Sequence, residues 1–347
     1  IRNYDALAPF FMTLVSSSNH WLFISTTGGL SAGRVDSDHA LFPYYTVDKI
    51  TENSENTGSK TIMLVATETG QALWEPFSER NAGVYQLERN LYKNVLGTTL
   101  IFEEINHDLD LTYRYAWRTS DAYGFVKTSY LVNHGQQDRQ IHLLDGLQNI
   151  LPAHVSVDVQ NSYSNLLDAY KFNELQPATG LGLFSLSSRL TDLAEPSESL
   201  RTNVVWQAGL TDVTHLLSSA QLSAFRNGEA ITQEQTIRGK RGAYFVSNQV
   251  LLDAGAEQSW HIVADVEQDH AHVVALLERL RGDVDDLRAA LEQDIQRSQQ
   301  KLDHLMACAD SKQQSSDTLS TAHHLANVLF NTMRGGIFAN NYQIEKD

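Results

Sequence analysis

Cysteine is almost absent: Cys308 is the only one in 347 residues. No intrachain disulfide can form, the core alone must hold the fold, and a reducing, cytoplasmic setting is the expectation. Long apolar runs are also missing, since stretches such as Val273–Leu277 fall far short of the roughly 18 residues of a membrane helix. The chain opens on Ile1 and Arg2 without an initiator methionine or a charged-then-apolar leader. Basic residues are scarce, 26 Lys and Arg against 42 Asp and Glu, for a formal net charge of -16. Coulomb repulsion then argues against nucleic acid and anionic membranes and favours a neutral or cationic partner.

Cofactor and metal signals are missing too. No phosphate-cradling loop of the Walker type occurs, and Gly28-Gly29 with Gly33 has neither the spacing nor the following helix of a dinucleotide site. His323 and His324 are neighbours that point different ways around a helix, with no third ligand at i+4. No cofactor and no metal are expected.

What is present is a change of period near Val266. Before it, apolar and polar residues alternate: Leu109, Leu111, Tyr113, Tyr115 and Trp117 fall on one face, Asp110, Thr112, Arg114 and Ala116 on the other, as in a half-buried antiparallel strand. Asn106-His107-Asp108 reads as the turn of a hairpin that starts at Thr99–Ile105, and the design repeats in 123–133 and 139–150 around His134-Gly135. Further strands are expected at 21–26, 60–67, 84–92, 182–188, 202–208, 243–251 and 258–266, with turn chemistry at Thr69-Gly70, Asn227-Gly228 and Ala254-Gly255. More than a dozen strands with no intervening helix would overfill a small sandwich. The five tryptophans, Trp21, Trp74, Trp117, Trp206 and Trp260, are assigned to the core.

After Glu267 the spacing becomes helical. His270, Val273, Val274, Leu277 and Leu280 recur at three and four residues until Gly282-Asp283. Val284, Leu287, Leu291, Ile295, Leu302 and Leu305 then form a stripe along a helix of about seven turns. Asp285 and Asp286 suit its amino terminus, and Cys308 reads as packing. After a polar loop at 312–316, Asp317 can cap a third helix that ends at Gly335-Gly336. Strands and helices segregated in this way predict a mainly β protein: a large antiparallel two-sheet sandwich over 1–267, then an α-helical linker over 268–347. The stripes must bury against the sandwich or against a further domain. Asn340–Asp347 read as a lead into more chain, hence as part of a larger protein.

Three segments, Thr26-Thr27-Gly28-Gly29-Leu30-Ser31-Ala32-Gly33-Arg34, Tyr130-Leu131-Val132-Asn133-His134-Gly135 and Arg334-Gly335-Gly336-Ile337-Phe338, together resemble the amino-terminal half of the inverting glycoside phosphorylases of the cellobiose phosphorylase kind and related glycosidases. That resemblance implies a galactose-mutarotase-like β-supersandwich, a helical linker, and a downstream (α/α)6 barrel carrying the catalytic carboxylates. It also implies that loops of the sandwich help wall the active site, in a homodimer across its interface. No catalytic residue is then expected in this chain.

The densest polar and aromatic cluster is Arg34, Asp36, Asp38, His39, Tyr44, Tyr45, Asp48 and Lys49. Rings that stack on sugar faces, beside carboxylates and guanidinium groups that bond hydroxyls, suit an oligosaccharide or glycoside. A plainer reading makes the same residues a surface loop whose charges pair with one another. Two alternatives stand beside the enzyme-portion reading: a stand-alone carbohydrate-binding or scaffold module, and an aldose 1-epimerase-like enzyme. The epimerase needs a facing His and Glu, and no spacing selects a pair from His107, His142, His154, His215, His261, Glu103, Glu104 and Glu174.

Overall fold

The alternation at 109–117 marks the middle of the molecule. Leu109, Leu111, Tyr113, Tyr115 and Trp117 are all buried in one cluster, as the period-two pattern requires. The structure is a computed structural model that describes residues 1–68, 70–190 and 198–333. Thr69, the Arg334–Phe338 segment and Asn340–Asp347 lie outside the described residues.

The chain runs β1 (Phe11–Leu14), β2 (His20–Ser25), β3 (Leu30–Arg34), β4 (Ala40–Phe42), α1 (Val47–Glu52), β5 (Gly58–Thr67), β6 (Gly70–Trp74), β7 (Leu87–Lys93), β8 (Leu100–Asn106) and β9 (Leu111–Ser120). It continues through β10 (Gly124–Asn133), β11 (Arg139–Ile150), α2 (Val157–Tyr170), β12 (Lys171–Gln176), β13 (Leu181–Leu186), β14 (Thr202–Ala208), β15 (Thr214–Leu216), α3 (Leu222–Arg226), β16 (Thr236–Arg238), β17 (Gly242–Leu252) and β18 (Glu257–Gln268). Three helices follow: α4 (His270–Leu280), α5 (Val284–Cys308) and α6 (Thr318–Met333).

The strands form three antiparallel sheets. A nine-stranded sheet of order β16-β12-β13-β14-β18-β10-β9-β8-β7 faces a five-stranded sheet of order β15-β17-β11-β5-β6. One cluster fills the space between them, with Phe102, Tyr113, Trp117 and Trp260 from the first meeting Met63, Leu143, Tyr244 and Val246 from the second. The remaining sheet is the meander β1-β2-β3-β4, which adds Leu22, Ile24, Leu30 and Phe42 to the same core. Gly29 is required in that meander because a Cβ there would collide with the Ile50 carbonyl of α1.

Both large sheets bury their outer faces as well. On the five-stranded sheet, Leu222 and Phe225 of α3 cover Ile62, Leu64, Leu144 and Phe245. On the nine-stranded sheet, α4 and α5 lie across Val126, Val204, Trp206 and Val263, with Leu291 and Ile295 fully buried. The middle of the α5 stripe therefore belongs to the sandwich, whereas Val284 and Leu305 at its ends are exposed, and the Leu291 and Ile295 side chains each contribute about 1.5–3 kcal/mol of apolar burial. Asp283 caps α5 through the Asp285 and Asp286 amides, and Asp317 accepts the Leu319 amide at the start of α6. No residue of α6 is buried; Val328 and Leu329 rest partly on Leu302, Met306 and Val15.

Three expectations need correction. The strand region is not free of helices: α1, α2 and α3 interrupt it, and α2 is signalled by Ser156, whose hydroxyl accepts the Val159 amide, followed by apolar residues at helical spacing. Cys308 is exposed, 3.6 Å from His304 Nε2, because it faces away from the α5 stripe. Trp21 is only half-buried, while Trp74, Trp117, Trp206 and Trp260 are core.

Candidate functional site

The eight clustered residues separate into several places. Arg34, at the end of β3, holds Asp265 of β18 through both carboxylate oxygens at 3.0–3.1 Å and reaches Asn19 with Nε at 2.8 Å. It ties the meander to the nine-stranded sheet, and Asp265, whose pKa burial pushes up, depends on that guanidinium. Asp36 pairs with His39 Nδ1 at 2.7 Å, and the His39 ring is the first cause of its lowered pKa. Asp38 accepts the Val157 amide at 3.0 Å and so anchors the start of α2. Asp48 and Lys49 lie on the exposed face of α1, where Lys49 Nζ sits 6.0 Å from the Tyr45 ring centre.

Tyr44 and Tyr45 have a different setting. They follow β4 on a loop fixed by the Ser31 hydroxyl, which donates to the Pro43 carbonyl. Tyr44 is 46% exposed and stands edge-on to Trp21, with ring centres 5.5 Å apart. Both tyrosines wall a cavity of about 140 Å³ whose other side is α2. Asn161, Asn165 and Asp168 line it from that helix. Their spacing of i, i+4 and i+7 puts them on one face. Lys171, the first residue of β12, and Arg241, just before β17, complete the wall.

Asn149 links this cavity to a second of about 480 Å³, since Asn149 and Arg241 line both. Asn149 sits at the irregularity between Gln148 and Ile150 in the β11–β17 ladder, with φ of +58°. Bulges and left-handed non-glycine residues are concentrated where a strand is bent to serve a site. Its amide group donates to Thr57 Oγ1 at 2.8 Å, which holds the conformation.

The charges along this groove are already partly committed. Asp168 pairs with Lys171 at 2.8 Å. Burial pushes the Lys171 pKa down, Asp168 opposes that, and the nearby Arg241 adds to the lowering. In the second cavity Arg226 grips Glu75 with two bonds of 2.6 and 3.0 Å, and Glu55 binds Lys60 and Ser78. Burial is the largest single influence and pushes the Glu55 pKa up, but the Lys60 ammonium, the Ser78 hydroxyl and Arg80 together outweigh it and the pKa ends lowered. Glu55, held below the usual carboxylate range, does not resemble a general acid, which needs a raised pKa.

Among the histidines considered for epimerase chemistry, His154 lies 3.6 Å from Glu267 and its amide donates to the same carboxylate at 2.7 Å. The carboxylate therefore lies against His154 and accepts its main-chain amide instead of facing the ring across a sugar-sized gap. His142 bonds Ser247, His261 bonds Thr128, His215 stands edge-on to Tyr244, and His107 is 3.8 Å from Glu88. Glu103 binds Arg114, Glu104 binds Arg89, and Glu174 accepts from Gln176.

Sequence reasoning identified Tyr44 and Tyr45 of the groove and missed Asn149, Asn161, Asn165, Asp168, Lys171 and Arg241. The spacing of Asn161, Asn165 and Asp168 was the available signal, hidden because α2 was not foreseen.

No family model matches the chain, and no curated protein matches it. Solved structures do. A bacterial glucoamylase complexed with acarbose is 8% identical at a TM-score of 0.49, over 88% of this chain and 39% of that one. A human-microbiome protein assigned as a kojibiose phosphorylase is 10% identical at 0.34, over 70% and 27%. An Escherichia coli K12 protein assigned as an aldose 1-epimerase is 12% identical at 0.36, over 75% and 99%. The chain thus spans well under half the length of the first two. Identities of 8 to 12% leave function to be argued from the residues themselves.

Proposed function

We propose that this chain is the substrate-shaping portion of a carbohydrate-active protein and that the groove beside Tyr44 and Tyr45 seats an oligosaccharide without breaking a bond in it. The observation that carries the reading is the meeting of two accessible tyrosine rings with the amide face of Asn161 and Asn165 across one cavity. Rings cover the apolar faces of a sugar, and amides supply both donors and acceptors for its hydroxyls. Binding, not cleavage, is favoured because the carboxylates lining the groove, Asp168 and Glu55, are held in ion pairs. The chemistry would then belong to a catalytic barrel of the same polypeptide, and a homodimer would bring a second sandwich to its mouth.

Calorimetric titration with a panel of oligosaccharides tests this. Tyr45→Ala should weaken the best ligand by about 1–3 kcal/mol, the range of a buried anchor. No binding across the panel, or turnover of an oligosaccharide by this chain alone at an enzyme-like rate, would defeat the reading.

A further inference from the structure

The whole chain is strongly acidic, yet the groove is not. Its two cavities are lined by Lys171, Lys240, Arg80, Arg226 and Arg241 against only Asp168 and Glu55, in a protein of net charge -16. Local potential follows the nearest charges, and ions more than a Debye length away are screened. Net charge therefore does not decide what this groove attracts.

Two of these cations have no carboxylate. Lys171 and Arg226 are taken by Asp168 and Glu75, whereas the side chains of Lys240 and Arg241 make no ion pair among the described residues. They are not placed by chance on a loose turn. The Gly239 amide donates to the Lys171 carbonyl at 3.0 Å, and Asn173 Nδ2 donates to the Lys240 carbonyl at 3.4 Å. The loop between β16 and β17 is thereby fastened to β12, and Arg241 is held near the ammonium of Lys171, a side chain only 5% exposed. Like charges kept together beside aromatic walls form an arrangement that an anion relieves.

We propose that the ligand of this groove is an anionic saccharide, one bearing a carboxylate or sulfate group, with its acid group held by Arg241 and Lys240 at the Lys171 wall and its rings against Tyr44 and Tyr45. The inference rests on the saccharide reading above and narrows it. A guanidinium presents two parallel donors that match a carboxylate or sulfate edge, and an ammonium adds a point charge. Asn149, at the junction of the two cavities, lies where the acid-bearing unit meets its neighbour.

The test titrates the full chain with three oligosaccharides of equal length, one neutral, one of uronate units and one sulfated, at low and raised salt. The acidic ligands should bind about tenfold or more tighter than the neutral one at low salt, the worth of one charge-assisted contact. Raised salt should erode that margin. The exposed pair Lys240→Gln with Arg241→Gln should abolish the preference, so that the acidic ligands bind this variant no tighter than the neutral one does; in the unsubstituted chain, whichever acid group has the larger margin identifies carboxylate or sulfate. Acidic ligands that bind no tighter than the neutral one would overturn this inference and leave the saccharide reading intact. A preference that survives the double variant would also overturn it, by placing the acid group elsewhere. Failure of all three ligands to bind would remove the saccharide reading itself.

Discussion

Lys127 of β10 and Asp145 of β11 meet at 2.5 Å with neither side chain exposed, one from each of the two facing sheets. Asp145 also accepts from Thr61, Ser129, Trp260 and Tyr113, so both carboxylate oxygens are satisfied in the core. Burial pushes the Lys127 pKa down against the pull of Asp145. Removing one partner of such a pair strands the other in a medium that solvates it poorly. Lys127→Met should lose about 3 kcal/mol or more in urea unfolding, and adding Asp145→Asn should recover part of it. A single-variant loss below about 1 kcal/mol would show that the pair does not hold the sheets together.

Asn149 tests the strained wall of the groove. Asn149→Ala loses the bond to Thr57 and keeps a side chain at φ of +58°, and should cost about 2 kcal/mol. Asn149→Gly loses only the bond and should cost about half as much. Equal losses by thermal unfolding would mean that the left-handed backbone is not a constraint.

Two buried histidines contribute to the acid response. Burial, then Arg288 and Arg118, lowers the His261 pKa to about 4, and burial, then Arg34, lowers that of His20 to about 3. The unfolded chain binds protons at these sites near pH 6.5 and the folded chain does not, so stability present above pH 6.5 is lost as pH falls toward 4. The loss from His261 alone is on the order of 3 kcal/mol. His261→Gln should flatten unfolding free energy against pH in that window. An unchanged slope would mean that the ring is already protonated in the fold.

The α4–α5 pair is predicted to be part of the sandwich and not a detachable arm. Ile295→Ala, at a fully buried position against the nine-stranded sheet, should cost about 2–4 kcal/mol. Leu319→Ala on α6, where the side chain is 62% exposed, should stay within about 0.5 kcal/mol. If the two variants unfold at the same denaturant concentration, the helices do not depend on the sheet.

Much of the fold is legible in the sequence. The alternation at 109–117 requires one buried face wherever the strand lies, and the α5 stripe requires a helix of that length, because both periods are local properties of the backbone. The strands β1, β3, β4, β6, β12, β15 and β16 were harder, each spanning six residues or fewer, and α2 was hidden by its polar face.

The sequence by itself determined the kind of the long strands β9, β10, β11, β17 and β18 and of the helices after them, the switch of period after Glu267 and the absence of a disulfide frame. Only the tertiary structure decided which polar groups meet. Arg34 finds Asp265 across 231 residues of chain and becomes a tie, while Tyr45, Asn165 with Lys171, and Arg241 arrive at one groove from three separate segments. The physical reason is that sheet pairing is non-local. Side-chain period is set residue by residue, whereas the neighbours of a strand end are chosen by the cooperative burial of two whole sheets.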